Sequence, residues 1–427
     1  MSQDFKSSVD NEGVNADPLY LSALANLGQS VPSKLIAPPA KGSIAVLPFL
    51  NMSADPEQEH FTDGLTEDII TDLSNVPGIF VIARNSTFAY KGKPTDVRQI
   101  AYDLGVKYIL EGSARRSIQR LRINVQLIDA AEGGTHIWAE RFDHDIADIF
   151  EAQDEVTRRV VESITGKFGT TQVAERYRPT NLEAYDLVVR SRNQFAQSRN
   201  AANEARSRLE RAIVLDPNYA EAHWRLAFVQ AYSWGWNIEE HAADLAAAHA
   251  SAQRAVELDA NDSGAYDILG YVLLIERHWD EARDCYETSL RLNPNNANSF
   301  AEFAFYKLAI GEARECIDFL ARALRLNPKP PSWYFWVLGN AQIKLGQYAD
   351  AVEMLRREET YRTGSRRSLA AALALLGRDK EAKDEAGYFM ADNPHFRITH
   401  WEATTPFKNQ KDAKFWIDAF RLAGLPE

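Results

Sequence analysis

Few residues of this chain have types and spacings that bear on chemistry. Arg115, Arg116, Arg120 and Arg122 cluster around one turn. Four guanidinium groups so placed have the donors to read an anionic group, whether a nucleotide, a phosphate or an acidic partner face. The same charges on a hairpin edge discourage edge-to-edge pairing, and the acidic excess of the chain favours that plainer role. Carboxylates fall in pairs at Glu67-Asp68 and at Asp143 with Asp145. Acidic residues suit the first turn of a helix, so Glu67 and Asp68 read as a helix start, whereas Asp143 and Asp145 follow a strand end and read as turn residues. His241 and His249 lie eight apart with Asp244 between them, too far for an i, i+4 ligand pair. Cys285 and Cys316 have no ligand-type neighbours at short spacing and read as small core residues. There is no Gly-x-x-x-x-Gly-Lys-Ser/Thr loop, no His-Glu-x-x-His and no Gly-x-Ser-x-Gly elbow, so the sequence predicts no catalytic, cofactor or metal site.

Composition narrows the class. Of 427 residues 45% are hydrophobic, enough for packed cores, and 48 Lys+Arg against 60 Asp+Glu leave a net charge of −12. That balance argues against a general nucleic-acid binder, which needs a basic surface. Two cysteines imply a reducing compartment with no disulfide framework. The first residues lack a basic segment followed by an apolar one, and no apolar run approaches membrane-spanning length, so the expectation is a soluble, cytoplasmic chain.

The elements that must position any site fall into four stretches. Residues 1–42 are polar and Pro-containing and read as a flexible leader, apart from a short helix at Leu21–Leu27. Residues 43–175 alternate strand and helix patterns. Ile44-Ala45-Val46-Leu47-Pro48-Phe49 reads as a buried strand, and Asp63 or Thr66 as the cap of a helix stopped by Pro77-Gly78. Ile79–Ala83 is a second strand, Asp96–Leu104 a helix ended by Gly105, and Val106–Leu110 a third strand. Leu121, Ile123, Val125 and Leu127 alternate with polar residues, the period of a half-buried strand, and Thr135–Phe142 follows a Gly-Gly turn. A helix from Asp148 to about Phe168 closes the unit. This predicts an α/β domain with a mixed sheet.

From about Asn181 alanine-rich helices take over, punctuated by Leu-Asp-Pro or Leu-Asn-Pro. Ala260 to Pro294 and Pro294 to Pro328 each span 34 residues, and Pro328 to Pro394 spans 66, two units of 33. A period of 34 is that of the tetratricopeptide repeat. Tyr266, Leu269, Gly270, Ala282, Tyr286 and Pro294 hold the pattern positions of one unit, and Phe335, Leu338, Gly339 and Ala351 those of another. Six units over 181–395, two irregular and four regular, with a capping segment over 396–427, form an all-α solenoid. Its second unit carries a nine-residue excess around Ser233-Trp234-Gly235-Trp236-Asn237, either a longer helix with an aromatic plug or a loop on the binding face. First-helix positions 2, 5, 9 and 12 of such units line a concave groove. Here they include Tyr271, Phe305, Trp333, Trp336, Asn340, Ile343 and Arg367, and aromatic residues and Arg are enriched at interface hot spots. Packing between repeats is the competing role for Trp333 and Trp336.

Residues 43–170 resemble the TolB amino-terminal-like domain through Ile44–Phe49, Phe61–Ile69, Leu110–Arg116, Gln126–Asp129 and Trp138–Phe142. That domain followed by tetratricopeptide repeats resembles the C-terminal region of bacterial class III adenylate/guanylate cyclase-like signalling proteins, and related chains carry a winged-helix DNA reader instead. Arg421-Leu422-Ala423-Gly424-Leu425-Pro426-Glu427 resembles the ending of such proteins. A class III cyclase needs two metal-binding aspartates, a base-reading Lys and Asp, and a transition-state Arg, a set with no place in this sequence. Phe61-Thr62-Asp63-Gly64-Leu65-Thr66 is superficially similar to the cyclase metal strand, but Gln58-Glu59-His60 precedes it, not an apolar strand. The resemblance nonetheless admits an adenylate cyclase label by homology. The expectation is a non-enzymatic regulatory or scaffolding protein that holds a protein or peptide partner. The alternatives are a cyclase-like protein or regulatory half without the catalytic domain, and a transcriptional regulator without its DNA reader.

Overall fold

The computed structural model describes residues 42–117, 119–131, 133–166, 177–192, 199–236, 242–357 and 363–427. The expected leader, its Leu21–Leu27 helix and His241 lie outside the described residues, as do Asn237 and the side chains of Trp234 and Trp236.

The first unit is a mixed sheet in the order β3-β1-β4-β5-β6. Its strands are β1 (Ser43–Val46), β2 (Leu50–Asn51), β3 (Phe80–Val81), β4 (Tyr108–Arg116), β5 (Arg120–Asp129) and β6 (Thr135–Asp145). β1 pairs in parallel with β3 and β4, β2 continues beside β4, and β4-β5-β6 run antiparallel. Helix α1 (Glu59–Ser74), short α2 (Arg84–Phe88), α3 (Val97–Leu104) and α4 (Ile149–Thr165) complete the domain. Because strand side chains alternate, Leu121, Ile123, Val125 and Leu127 face one core with Leu65, Ile69, Val156 and Val160 of α1 and α4. Ala45 and Ile109 face the other side, where α3 covers them with Ile100 and Leu104. Gly105 takes the left-handed conformation (φ 65°) that ends α3.

Two local expectations are corrected here. Helix α1 does not open at Asp63. A one-turn 3-10 segment at Pro56–Gln58, capped by Asp55 accepting from Glu57 N at 2.9 Å, leads directly into Glu59. Neither Asp63 nor Thr66 is therefore a cap: Thr66 Oγ1 donates back to Thr62 O at 2.9 Å and accepts Phe49 N at 3.0 Å. Glu67 and Asp68 fall in mid-helix, away from the dipole end that would have explained them. Asp143 and Asp145 are likewise on β6, not in a turn, because β6 continues past Phe142 to pair with Arg122 and Arg120.

Six helix pairs follow: α5 (Leu182–Ser191) with α6 (Arg199–Leu215), α7 (Ala220–Trp236) with α8 (Ala242–Leu258), α9 (Ser263–Ile275) with α10 (Trp279–Leu292), α11 (Ala297–Ala309) with α12 (Ala313–Leu326), α13 (Ser332–Lys344) with α14 (Tyr348–Leu355), and α15 (Thr363–Leu375) with α16 (Asp379–Asp392). The small pattern positions do what close helix packing demands. A Cβ on Gly339 would lie 2.7 Å from Leu355 Cγ of the paired helix. Two more helices, α17 (Ile398–Thr404) and α18 (Gln410–Leu422), close the array, with Trp416, Phe420 and Leu425 in the last core beside Leu369 and Leu373.

The α/β domain lies along the edge of the array formed by the turns between pairs. Asn295 donates to Ser74 O (3.0 Å) and Ile79 O (2.8 Å), and its Oδ1 accepts Val81 N at 3.3 Å. Ser86 donates to Asn327 Oδ1 at 2.6 Å, and Ala83 N to Leu326 O at 2.8 Å. Asn327 of one Leu-Asn-Pro stop, and Asn295 just beyond another, thus also dock the first domain. At the other end of this contact a Cβ on Gly64 would meet Val189 Cγ1 at 2.6 Å, so only glycine admits α5 this close to α1.

Candidate functional site

The guanidinium groups around the β4-β5 turn are largely committed. Arg120 pairs with Asp145 at 2.8 Å and Arg122 with Asp143 at 2.6 Å. These pairs hold the Asp143 carboxyl below its usual range, chiefly through the Arg122 hydrogen bond. Arg116 points to the other side of the sheet, stacks 4.6 Å from the Phe61 centroid and makes a bidentate pair with Asp186 of α5. Arg115 is exposed.

Between the domains the carboxylates of α1 meet a buried cation. Arg192 lies 2.8 Å from both Asp68 Oδ1 and Glu221 Oε1. Tyr185 Oη donates to Asp68 at 2.7 Å. Glu67 pairs with Arg84 at 2.9 Å and with Arg225 at 3.4 Å. Burial would raise the Glu67 pKa, but the charges of Arg192, Arg84 and Arg225 outweigh it and hold it below the ordinary carboxylate range. This network is a structural joint between the sheet domain and the first two repeats.

The first helices of the middle pairs carry a row of rings. Tyr232 of α7 stacks on Tyr271 of α9, centroids 5.7 Å apart, and Phe305 of α11 meets Trp336 of α13 at 5.9 Å. Trp333 packs edge-on to Tyr334 at 4.5 Å. Tyr271, Phe305, Trp333 and Trp336 are half-buried, whereas Asn340 and Ile343 are buried. Ile343 belongs to the final core, with Trp416 and Phe420. The wall of the array is therefore accessible along α9 and α11 and closes toward α15, where the chain covers it with its own C-terminal helices.

Arg367 marks that closed end. Its guanidinium lies 5.3 to 5.7 Å from the centroids of Phe389, Phe396, Trp401 and Phe420, four rings and, among the described residues, no acidic partner. Burial alone pulls its pKa down to about 10. The segment that supplies Trp401 is pinned along the opposite edge of the array. Arg277 donates to Ala403 O at 3.0 Å, Lys408 N to Ala309 O at 3.1 Å, Asn409 Nδ2 to Ile310 O at 2.9 Å, and Lys344 pairs with Asp412.

Two groove residues escaped the sequence reading. Asp267 stands one turn before Tyr271 on α9, and Glu302 one turn before Phe305 on α11. Burial raises the Asp267 pKa to about 7, with Ser299 opposing the rise. Burial, then repulsion from Asp267, raises that of Glu302. The available signal was position: Asp267 is the fifth residue of its unit, a position already assigned to the groove in other units.

Elsewhere, Cys316 is fully buried, and burial pushes the Cys285 thiol up to about 12, so both read as packing residues. His249 Nδ1 sits 2.6 Å from Glu276, and Asp244 pairs with Arg206. Among the described residues no group of three or more His, Cys, Asp or Glu side chains could hold a metal ion, and no helix is long and apolar enough to cross a membrane. The open face of the sheet forms a second concavity of about 1040 Å³ beside Tyr90, Lys91, Glu111, Asn124 and Gln126. Many of its polar groups satisfy one another: Gln126 donates to Glu111, Asn124 to Ser113, and Lys91 pairs with Asp63 and Glu59.

Residues 40–159 match the family of HilA/YgeH-like transcriptional regulators, second domain, and residues 263–296 match the tetratricopeptide repeat. A protein of Rhizobium meliloti (strain 1021) named "Putative adenylate cyclase 3" is 47% identical over 262 residues, 60% of this chain and 44% of that one. The matched part thus spans less than half of that relative. Among solved structures, the APC/C hetero-tetramer Cut9-Hcn1 aligns at 18% identity over 56% of this chain and 42% of that one, with a TM-score of 0.43. PilF of Pseudomonas aeruginosa aligns at 16% over 50% and 94% (TM-score 0.37), and TolB of Acinetobacter baumannii at 19% over 30% and 29% (TM-score 0.23).

Proposed function

We propose that this chain is a regulatory protein of a cyclase-related signalling system and that its repeat groove holds a peptide or protein segment. The observation that carries the first half is the 47% identity to a protein named as an adenylate cyclase. The groove supports the second half, since its half-buried rings on α9, α11 and α13 are of the type that anchors partner segments. In this reading the α/β domain, with its TolB-like resemblance, receives or relays the signal in the cytoplasm, and the chain supplies no catalytic set of its own. The test is reconstitution. Adding the purified chain to a class III cyclase catalytic domain should change the rate of cyclic AMP formation, while the chain alone should make none. Cyclic AMP from the chain alone would overturn the non-catalytic reading, and an unchanged rate would count against the cyclase connection.

The match of residues 40–159 favours a second reading, a component of a transcriptional regulator. DNA binding by the purified chain that falls steeply with salt would support it.

A further inference from the structure

The groove holds two carboxyl groups with no ion-pair partner among the described residues. Asp267 and Glu302 are half-buried on adjacent first helices. Asp267 Oδ1 is shut off from solvent and accepts no hydrogen bond among the described residues, Ser299 being the one polar group that aids this carboxyl. Below it Tyr286 is fully buried, and its hydroxyl also lacks a partner. That ring lies against Gly270, one turn from Asp267, since a Cβ there would be 3.2 Å from Tyr286 Cζ. Buried polar groups of native proteins are almost always satisfied, so two unsatisfied ones at a single place call for a missing donor and acceptor.

Among the described residues, the cations of the groove helices do not supply it. On the four groove helices the lysines and arginines are Arg225, Lys307 and Lys344. Arg225 pairs with Glu221 and Glu67, Lys307 with Glu312 and Glu315, and Lys344 with Asp412. Arg277, just beyond α9, is turned to the carbonyls of the C-terminal segment. Near the two carboxyls stand the phenols of Tyr232, Tyr271 and Tyr286, whose pKa values are raised first by burial and then by Glu302, and Ser299, which opposes the rise at Asp267. Carboxylates lined by aromatic faces suit a cation on a flexible stem, which gains charge-assisted hydrogen bonds and ring contacts at once.

Building on the groove reading above, we propose that the occupant is an extended segment of a partner protein carrying a lysine or arginine. Its cation seats against Asp267 and Glu302, and its flanking residues lie on Tyr271 and Phe305. Buried side by side, the two carboxyls hold protons more tightly than free ones when the groove is empty, and an arriving cation takes the place of that proton. Occupancy is thus selected by charge, while the rings accept many neighbouring sequences.

The experiment is selection of a random dodecapeptide phage library on the full chain, with the Tyr271→Ala, Phe305→Ala double variant as the counter-target. Peptides that need the rings should be enriched in Lys or Arg. A synthetic copy with arginine replaced by citrulline should bind roughly tenfold more weakly or worse, as should the original peptide to the Asp267→Asn, Glu302→Gln chain. That variant keeps size and removes only charge, and an unchanged or raised melting temperature will show that it folds. Ring-dependent peptides with no basic preference, or equal binding of the citrulline copy, overturn the proposal and leave the groove reading standing. No ring-dependent peptide at all overturns both.

Discussion

Arg192 Nη2 sits 2.8 Å from Asp68 Oδ1, with the two side chains 3% and 8% exposed, and this pair bolts the first repeat helix to the α/β domain. Glu221 of the second repeat shares the same nitrogen. Removing one partner from a buried ion pair strands the others without water. Arg192→Met should therefore cost roughly 3–5 kcal/mol, because Asp68 loses its buried cation and Glu221 is left with Arg225. Urea unfolding measures it, and a loss below about 1 kcal/mol would show that the joint contributes little.

Glu67 sets one pH response. Its pKa in the folded chain lies below the ordinary value of 4.5 because three arginines outweigh burial. The folded state thus releases this proton more readily than the unfolded chain does. Its stabilisation is complete above about pH 4.5 and is lost as pH falls through the lower, folded value. Glu67→Gln should flatten the acid limb of the stability curve. An acid limb identical to wild type would contradict that.

Asp267 sets the opposite response. Its pKa rises from 3.8 to about 7 in the folded chain, so folding takes up a proton between these values and stability falls as pH rises through that window. Asp267→Asn should melt higher than wild type at pH 8, with the advantage shrinking toward pH 4. A variant that melts lower than wild type at pH 8 would mean that the carboxylate has a stabilising partner in the protein.

The C-terminal closure is the third lever. Trp401 supplies one ring of the cage around Arg367, 5.4 Å from the guanidinium, and packs on Phe420 at 4.7 Å. Trp401→Ala should cost about 2 kcal/mol, discounted from a fully buried tryptophan because it is half-buried. Hydrogen exchange should speed up in α15 and α18 while α9 and α11 keep their protection. Uniform acceleration along the array would mean that the closure is not a separate unit.

Much of this architecture was legible because it is periodic. The alternation Leu121, Ile123, Val125, Leu127 and the 34-residue spacing of Ala260, Pro294 and Pro328 are consequences of strand and repeat geometry that each residue reports locally. Gly105 reported its helix end in the same way. Glu67 and Asp68 did not, because their partners Arg84, Arg192 and Arg225 come from other elements, and local dipole reasoning assigned them to a helix start that lies eight residues earlier, at Glu59. Asn327 belongs to a Leu-Asn-Pro stop and Asn295 follows another, and nothing near them announces that a second domain hydrogen-bonds there. Ile343 and Arg367 hold groove positions by their spacing, but the sequence gives no sign that α17 and α18 fold back over that end of the array. Asp267 was within reach of the positional rule. Its sequence neighbours do not show that it lacks a cation, which depends on residues of other helices.

The most direct measurement is cross-linked partner capture in the source cells with the wild-type chain and the Tyr271→Ala, Phe305→Ala double variant, both checked for equal folding. These two residues lie on the accessible stretch of the groove, away from the C-terminal closure. If the repeats bind a partner through this surface, at least one protein captured by wild type, cyclase-related by the reading above, should be lost with the double variant. Identical partner sets for the two chains would contradict the groove as the binding surface.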